Sequence, residues 1–296
     1  MKAVKRRPVA AKPVKPGGDI MAWLDAAKAP SRLLKPIERH LLTRRPDFRA
    51  TDVLHPSEMI GSEWCHRASY HMLRGDKPKP EHNRLRTQTI FEEGHEIHRK
   101  WQQWLREMGV LYGQWECLAC GWHDMALAPV WCHKCRAKKA LVYNEVPLIS
   151  ERHRIAGHAD GLVKMEDQPD CLIEIKSIGL GTVRSEAPGL LKKADGDLDK
   201  LWDSIRHPFG KHLRQGQLYL SIAQLAYGED APQEIVFLYE NKTNQAAKEF
   251  VVKHDPEVCA ELLEDALDVV WAVNNDREPD CTIGDKGCPK CKQFDA

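Results

Sequence analysis

Four cysteines, Cys117, Cys120, Cys132 and Cys135, stand as two C-x2-C pairs separated by eleven residues. No other feature constrains the chain as much. Two such turns can bring four thiolates to one tetrahedral Zn²⁺, with Zn–S near about 2.3 Å, a closed structural site. The segment is short and poor in apolar residues, so bound metal would have to supply its folding energy. Cys120-Gly121 and Cys135-Arg136 suit a tight turn after each pair. His123 and His133 are weaker alternatives as ligands. Lys134, Arg136, Lys138 and Lys139 gather at the end of the segment and favour a polyanion there.

Of the other six cysteines, Cys281, Cys288 and Cys291 crowd the C-terminal end and Cys65 stands alone far upstream. These four suit a 4Fe–4S cluster or a second Zn²⁺, and either would staple the first helix to the C-terminal segment. Cys171 and Cys259 read as small buried hydrophobes. No apolar stretch follows the basic start, so no secretory leader is expected. Metal thiolates in an intracellular, reducing compartment are then expected rather than disulfides. No apolar run approaches the ~18 residues that span a bilayer.

The chain has 296 residues, 42% of them hydrophobic, enough to bury one large core or two small ones. That excludes a collagen, a coiled coil or a disordered protein. The net charge of +1 is uneven: residues 1–18 hold six basic residues and no acid, leaving −5 for the remainder. Residues 1–18 read as a disordered basic tail, residues 19–296 as the folded domain, and residues 114–140 as a zinc-ribbon insertion within it.

Periodicity predicts short helices over 19–49 and one helix starting at Ser57, as N-cap, that runs through Cys65 to Leu73. A long helix is expected over 84–108, with Ile90, Ile97, Trp101, Trp104 and Met108 as its apolar stripe. Strands are expected at Val146–Ile149, Arg152–Ala156, Gly161–Met165, Cys171–Lys176, Glu234–Glu240 and Lys248–Lys253. The Gly/Pro/Lys-rich stretch 179–210 reads as a mobile excursion with one short helix. A helix follows at 211–227, and a last one opens at Asp255-Pro256.

Chemistry concentrates in Gly157-x2-Asp160 and Glu174-Ile175-Lys176. Adjacent strands would bring the two carboxylates together, and Glu174 and Lys176 leave one face of a strand. Carboxylates so placed repel unless a hard divalent cation such as Mg²⁺ or Mn²⁺ sits between them. A lysine beside that metal can orient or deprotonate a water and offset charge on a phosphate oxygen. Taken alone, the pattern also describes solvated strand ends. His98 at the edge of the long helix can reach the same metal. His212, Gln215 and Tyr219 share one helix face, a polar stripe suited to a nucleic-acid backbone. Trp202, His207 and Phe209 are either core or stacking platforms for bases.

Gly94-x3-His98, Gly157-x2-Asp160, Glu174-x-Lys176 and Gln215-x3-Tyr219, in that order, resemble the RecB-like branch of the PD-(D/E)xK nuclease superfamily. That branch includes the AddB nuclease domain, CRISPR-associated RecB-like exonucleases and phage exonucleases. Cys65-His66-Arg67 and the C-terminal cysteines resemble its iron–sulfur subgroup, although here the isolated Cys281 precedes the Cys288-x2-Cys291 pair. The resemblance covers roughly residues 55–291. It implies an α/β fold with a restriction-endonuclease-like core, a mixed central sheet flanked by helices, carrying the zinc ribbon as a small insertion. It implies metal held by His98, Asp160, Glu174 and the carbonyl of Ile175, with Lys176 catalytic and Gln215 and Tyr219 near substrate. It favours a 4Fe–4S cluster on Cys65, Cys281, Cys288 and Cys291. The implied activity is a metal-dependent DNA exonuclease in recombination, repair or phage DNA metabolism, acting on single-stranded or duplex ends, with a helicase or recombinase as a candidate partner. A structure-specific endonuclease or resolvase, and a non-catalytic DNA-binding module with structural metals, are the alternatives.

The basic tail generates a first prediction. Deleting residues 1–18 should weaken DNA affinity and flatten its salt dependence, because fewer counterions are released. Fluorescence anisotropy across a salt series checks this, and an unchanged slope would mean an idle tail.

Overall fold

A computed structural model describes residues 33–43, 50–79, 85–284 and 288–294. The basic tail and most of the helices expected over 19–49 lie outside the described residues. Two units are distinguished, Met1–Asp47 with His82–Arg86, and Phe48–Glu81 with Thr87–Ala296. In the first, the described structure is chiefly helix α1, Leu34–Thr43. Everything below concerns the second.

Its centre is β7, Gln168–Ile178, whose residues from Cys171 to Ile175 are all buried. A strand buried on both faces belongs inside a sheet. It pairs antiparallel with β6, Gly161–Met165, and parallel with β8, Glu234–Asn241. β9, Ala247–Lys253, closes one side antiparallel to β8. On the other side β6 pairs with β1, Leu111–Cys117, which also carries β2, His123–Leu127, and β3, Leu141–Tyr143. β4, Val146–Ser150, and β5, Ile155–Ala159, form a separate antiparallel hairpin. The fold is thus α/β, with a mixed central sheet flanked by helices, as expected.

Alternation along β7 separates two cores. Leu172 joins a cluster with Ile235, Phe237 and Tyr239 of β8 and with helices α8, Gly210–Tyr227, and α9, Ala260–Asn274. Cys171, Ile173 and Ile175 join the opposite cluster with Trp115 of β1 and Ile97 of α4, Leu85–Glu107. α2, Pro56–Met59, and α3, His66–Leu73, pack with the first cluster. Between β7 and α8 run α5, Leu180–Glu186, α6, Pro188–Ala194, and α7, Leu198–Ser204.

Several expectations are corrected. The helix foreseen from Ser57 to Leu73 is two helices, and His55, not Ser57, is the N-cap of the first. The chain turns at Gly61, and Cys65 takes an extended conformation as N-cap of α3. The apolar stripe of α4 is mostly unused, since Ile90, Trp104 and Met108 are exposed. A buried carboxylate anchors the helix instead: Glu240 accepts from Lys100 Nζ at 2.6 Å and from Trp101 Nε1 at 2.7 Å. The strand expected at Arg152–Ala156 begins at Ile155, because residues 151–154 form the hairpin turn. The excursion 179–210 is helical. Asp197 caps α7 by accepting from the N–H groups of Asp199 and Lys200, and Leu201 and Trp202 bury its inner face. Trp202 and Phe209 are core and unavailable for stacking, whereas His207 is exposed. Asp255 caps a single 3₁₀ turn, Pro256–Val258, ahead of α9. β1 pairs with β6 at Leu111 and Tyr112, just ahead of the cysteine segment, and its later residues pair with β2 and β3.

Gly216 shows how closely α8 sits on the sheet. A Cβ there would meet Phe237 Cζ at 2.5 Å and Ile235 side-chain atoms at 3.2 and 3.3 Å. Gly216→Ala gains about 1 kcal/mol of helix propensity. Overpacking against a fully buried ring costs about 1–3 kcal/mol. Overpacking should win, and thermal unfolding should show a midpoint a few degrees lower; an equal or higher midpoint would mean α8 can lift from β8.

Candidate functional site

The β6–β7 ladder begins at Gly161↔Ile173, so Glu174 to Ile178 have no β6 residue beside them. Asp160 sits where the chain leaves the β4–β5 hairpin and enters β6. Its carboxylate fills the missing position: Ile175 N donates to Asp160 Oδ2 at 2.5 Å. The N–H and C=O of one strand residue share an edge, so the Ile175 carbonyl faces the same side. Gly157, three residues before Asp160, packs under the neighbouring helices. A Cβ there would lie 3.0 Å from Pro56 Cγ and 3.2 Å from Tyr219 Cε1. Gly94 meets no such demand, its nearest neighbour being Ser177 Oγ at 3.6 Å.

Glu174 and Lys176 leave β7 toward α8. Lys176 Nζ donates to Glu174 Oε1 at 2.6 Å and to Gln215 Oε1 at 2.9 Å, and Gln215 Nε2 donates to the Tyr219 hydroxyl at 2.9 Å. Asp160, Glu174, Gln215 and Tyr219 are all buried. The polar stripe of α8 therefore faces the site from inside the protein instead of solvent. His212 lies higher on that helix, 2.5 Å from the Tyr239 hydroxyl through Nδ1. Burial, then the charges of Lys176 and Lys211, push its pKa down to about 3, so the ring is neutral there.

From the opposite layer α4 delivers His98, whose Nδ1 lies 3.1 Å from Asp160 Oδ1. Burial alone would lower its pKa, but the hydrogen bond and charge of Asp160, with Glu174, raise it. Burial raises the Glu174 pKa, and the charge of Asp160 adds to it against the pull of Lys176. For Lys176 burial works downward and the Glu174 and Asp160 charges outweigh it, so the group is held as an ammonium. An ammonium suits charge offset and water orientation. Glu174 Oε2 is a buried oxygen without a hydrogen-bond partner among the described residues.

The sequence reading missed Glu145. It follows β3 in a left-handed conformation, φ 65°. Its main chain is gripped by β1, since Gln114 N donates to Glu145 O at 2.8 Å. Ligand atoms of His98, Glu145 and Asp160 all lie within 4.8 Å of one another. Gln102 Nε2 donates to Asp160 O at 3.0 Å and lies 3.5 Å from Glu145 Oε1. Burial and then the charge of Asp160 raise the Glu145 pKa to about 7. A cleft of about 1060 Å³ leads to this group, walled by His98, Gln102 and Arg106 of α4 and, opposite, by Val130, Val142 and Glu145. Of that second wall, Val130 belongs to the cysteine segment, while Val142 of β3 and Glu145 lie beyond it.

Both cysteine sets assemble, each with its four Sγ atoms within 4.8 Å. In the first, Cys117 and Cys135 are 3.6 Å apart, as are Cys120 and Cys132. Four thiolates on one tetrahedral ion at about 2.3 Å stand roughly 3.8 Å apart. The two turns match: Gly121 N donates to Cys117 O at 2.8 Å and Arg136 N to Cys132 O at 2.9 Å, and both turn residues have positive φ. Cys132 is burdened by burial, yet the N–H groups of Cys135 and Lys134 and its thiol neighbours bring its pKa down to about 6. His123 and His133 stay out of the set. In the second set Cys65 lies 3.6 Å from Cys281 and 3.3 Å from Cys291, and Cys291 N donates to Cys288 Sγ. The four thiols thus gather as a set that could hold a metal. Cys171 and Cys259 are buried outside both sets, as expected.

The chain matches no protein-family model and no curated protein. Among solved structures it is similar to LHK-Exo, an alkaline exonuclease from Laribacter hongkongensis, at 12% identity, covering 77% of this chain and 90% of that one with a TM-score of 0.38. LHK-Exo in complex with dAMP gives the same identity of 12% and coverages of 77% and 90%, with a TM-score of 0.40. SSO0001 gives 12% identity, coverages of 86% and 87% and a TM-score of 0.35. The reading of the site rests on its own residues.

The two cysteine sets should separate by mutation. Cys117→Ala or Cys132→Ala should release one metal equivalent and disturb mainly the ribbon. Cys65→Ala or Cys288→Ala should release the other and lower the unfolding midpoint of the whole domain, because that site closes a loop of more than two hundred residues. Metal analysis with calorimetry checks this; equal destabilisation by both pairs would count against a long-range staple.

Proposed function

We propose that this chain is a metal-dependent DNA exonuclease that hydrolyses phosphodiester bonds in recombination, repair or phage DNA metabolism. One observation carries the reading: Asp160, Glu174 and Lys176 meet at one sheet end, where Glu174 keeps a buried oxygen with no protein partner. A buried, unpaired carboxylate oxygen costs free energy unless something positive completes it. The donor set of Asp160, Glu174, the Ile175 carbonyl and His98 suits a hard divalent cation, Mg²⁺ or Mn²⁺.

Asp160, Glu174, the Ile175 carbonyl and His98 would hold the cation, which would supply polarisation of the scissile phosphate and activation of a water. The chain's own groups do the rest. Lys176, kept cationic by its two carboxylate neighbours, offsets charge on a phosphate oxygen and orients the attacking water. Gln215 holds the Lys176 ammonium through its amide oxygen, and Tyr219 holds Gln215 through its amide nitrogen. The cleft beside α4 admits the DNA end. Cys117, Cys120, Cys132 and Cys135 would hold Zn²⁺ in the ribbon, and Cys65, Cys281, Cys288 and Cys291 would hold a 4Fe–4S cluster, or a second Zn²⁺, that ties α3 to the C-terminal segment.

Asp160→Ala, Glu174→Ala and Lys176→Ala should each lower cleavage by several orders of magnitude while DNA binding persists. End-labelled linear single-stranded, linear duplex and closed circular DNA, incubated with Mg²⁺ or Mn²⁺, provide the assay. Short products from labelled linear ends and intact circles are expected. Near wild-type cleavage by any two variants would sink the assignment, and cutting of closed circles would replace exonuclease with endonuclease.

A further inference from the structure

Residues 131–140 hold four cations, Lys134, Arg136, Lys138 and Lys139, and no acid, on a body that is net negative outside residues 1–18. All four are exposed, and none has an ion pair or a side-chain hydrogen bond among the described residues. Trp131 stands beside them. Cys132 N donates to Ala137 O at 2.9 Å, which sets Trp131 and Lys138, the residues just outside that bond, next to each other. Leu118 N donates to Ala140 O at 2.8 Å and brings the first knuckle up to Lys139. We propose that this face of the ribbon binds single-stranded DNA, stacking a base on Trp131 and holding phosphates with Lys134, Arg136, Lys138 and Lys139. The choice of DNA rests on the exonuclease reading, but the surface uses none of the carboxylates on which that reading stands.

Trp131 alone among the described tryptophans has neither a ring nor a cation against it. The others pack on a ring or under a cation, Trp122 of the same ribbon on His133. Trp122 also packs against the core beneath β1, whereas Trp131 is 42% exposed and joins no core cluster. Its indole N–H has no partner among the described residues. Leu118 and Val130 are exposed beside the same knuckles, at 70% and 65%. An unused aromatic face among unpaired cations matches what a single strand presents, since its bases stack on aromatic rings and its phosphates attract cations. A duplex offers the phosphates but keeps its base faces covered, so Trp131 favours the single strand. The position also fits. Val130, the residue before Trp131, lines the cleft that leads to Asp160, so a strand held on the ribbon lies at the rim of that cleft.

The full chain with its cysteine-bound metal in place is titrated against fluorescein-labelled oligo(dT), a blunt duplex and oligo(U) of equal length. Anisotropy is read across a salt series without added Mg²⁺ or Mn²⁺, and bound metal is measured for each variant. Trp131→Ala should weaken oligo(dT) binding by roughly tenfold, spare the duplex and leave the salt slope unchanged. Lys138→Gln with Lys139→Gln should weaken oligo(dT) binding and flatten its slope of log K against log[salt] by roughly 0.7 per cation. Wild-type oligo(dT) affinity in Trp131→Ala, or an equal loss on the duplex, would overturn the proposal. Should Trp131→Ala lose the ribbon metal, the lysine variant decides: an unchanged affinity and slope would mean that these cations serve only to offset the thiolates. Tighter binding of oligo(U) than of oligo(dT) would overturn the choice of DNA. Trp131-dependent binding in a chain that cuts no DNA would sustain the proposal and sink the exonuclease reading. Cutting by a chain whose binding ignores Trp131 would do the reverse.

Discussion

The hydrogen bond from Ile175 N to Asp160 Oδ2 is where sheet and chemistry join. A buried strand cannot leave its N–H groups unpaired. By stopping the β6 ladder at Gly161 and supplying a side-chain carboxylate in its place, the chain satisfies β7 and brings a charge into the core in one step. That charge then organises what surrounds it. It holds His98 from one helical layer, and it sets the ionisation of Glu145, Glu174 and Lys176. The layers on either side of the sheet reach the site through different partners: α4 through His98 and Gln102, and α8 through Gln215.

Around this centre the rigid supports are polar or metal-binding more than apolar. α4 buries Ile97 alone among its side chains but is clamped by Glu240 beneath Lys100 and Trp101. The C-terminal segment has little apolar surface to bury, and its ties to α3 are thiols, the Arg74–Asp276 pair at 2.6 Å, the Arg67–Glu278 pair and Thr282 on Trp64 O. Of these contacts the Glu240 clamp on α4 is the costly one to lose, because that carboxylate is buried, whereas the Arg74–Asp276 and Arg67–Glu278 pairs are exposed and contribute little each.

Much of the site was legible in the sequence because its chemistry is written in short spacings. Glu174 and Lys176 had to share a face, and the C-x2-C pairs had to form matching turns. The cysteines spread over 65–291 could be grouped by residue type, though their gathering into one set is a property of the folded chain. Glu145 left no local trace: one acid between two β-like runs reads as a turn residue, and only the pairing of β1 with β3 carries it to Asp160. Helices α5 to α7 were hidden by Gly, Pro and Lys, since each buries one or two side chains and shows no long stripe. The stripe on α8 was found, and its contact with the buried Lys176 through Gln215 is a property of the folded chain.

The ribbon's place in the second wall of the cleft has a consequence for how the activity responds to chelators. Val130 lies two residues before Cys132, one of the gathered thiols, whereas Val142 is held in β3 by its pairing with Glu116 of β1. Were the carboxylates and the thiolates both loaded, stripping metal would act in two places, at the carboxylates and at the segment around Val130. The first loss reverses on adding Mg²⁺. The second does not, because a hard cation is a poor ligand for thiolates, and recovery there requires the soft ion and the refolding of a segment with little core of its own.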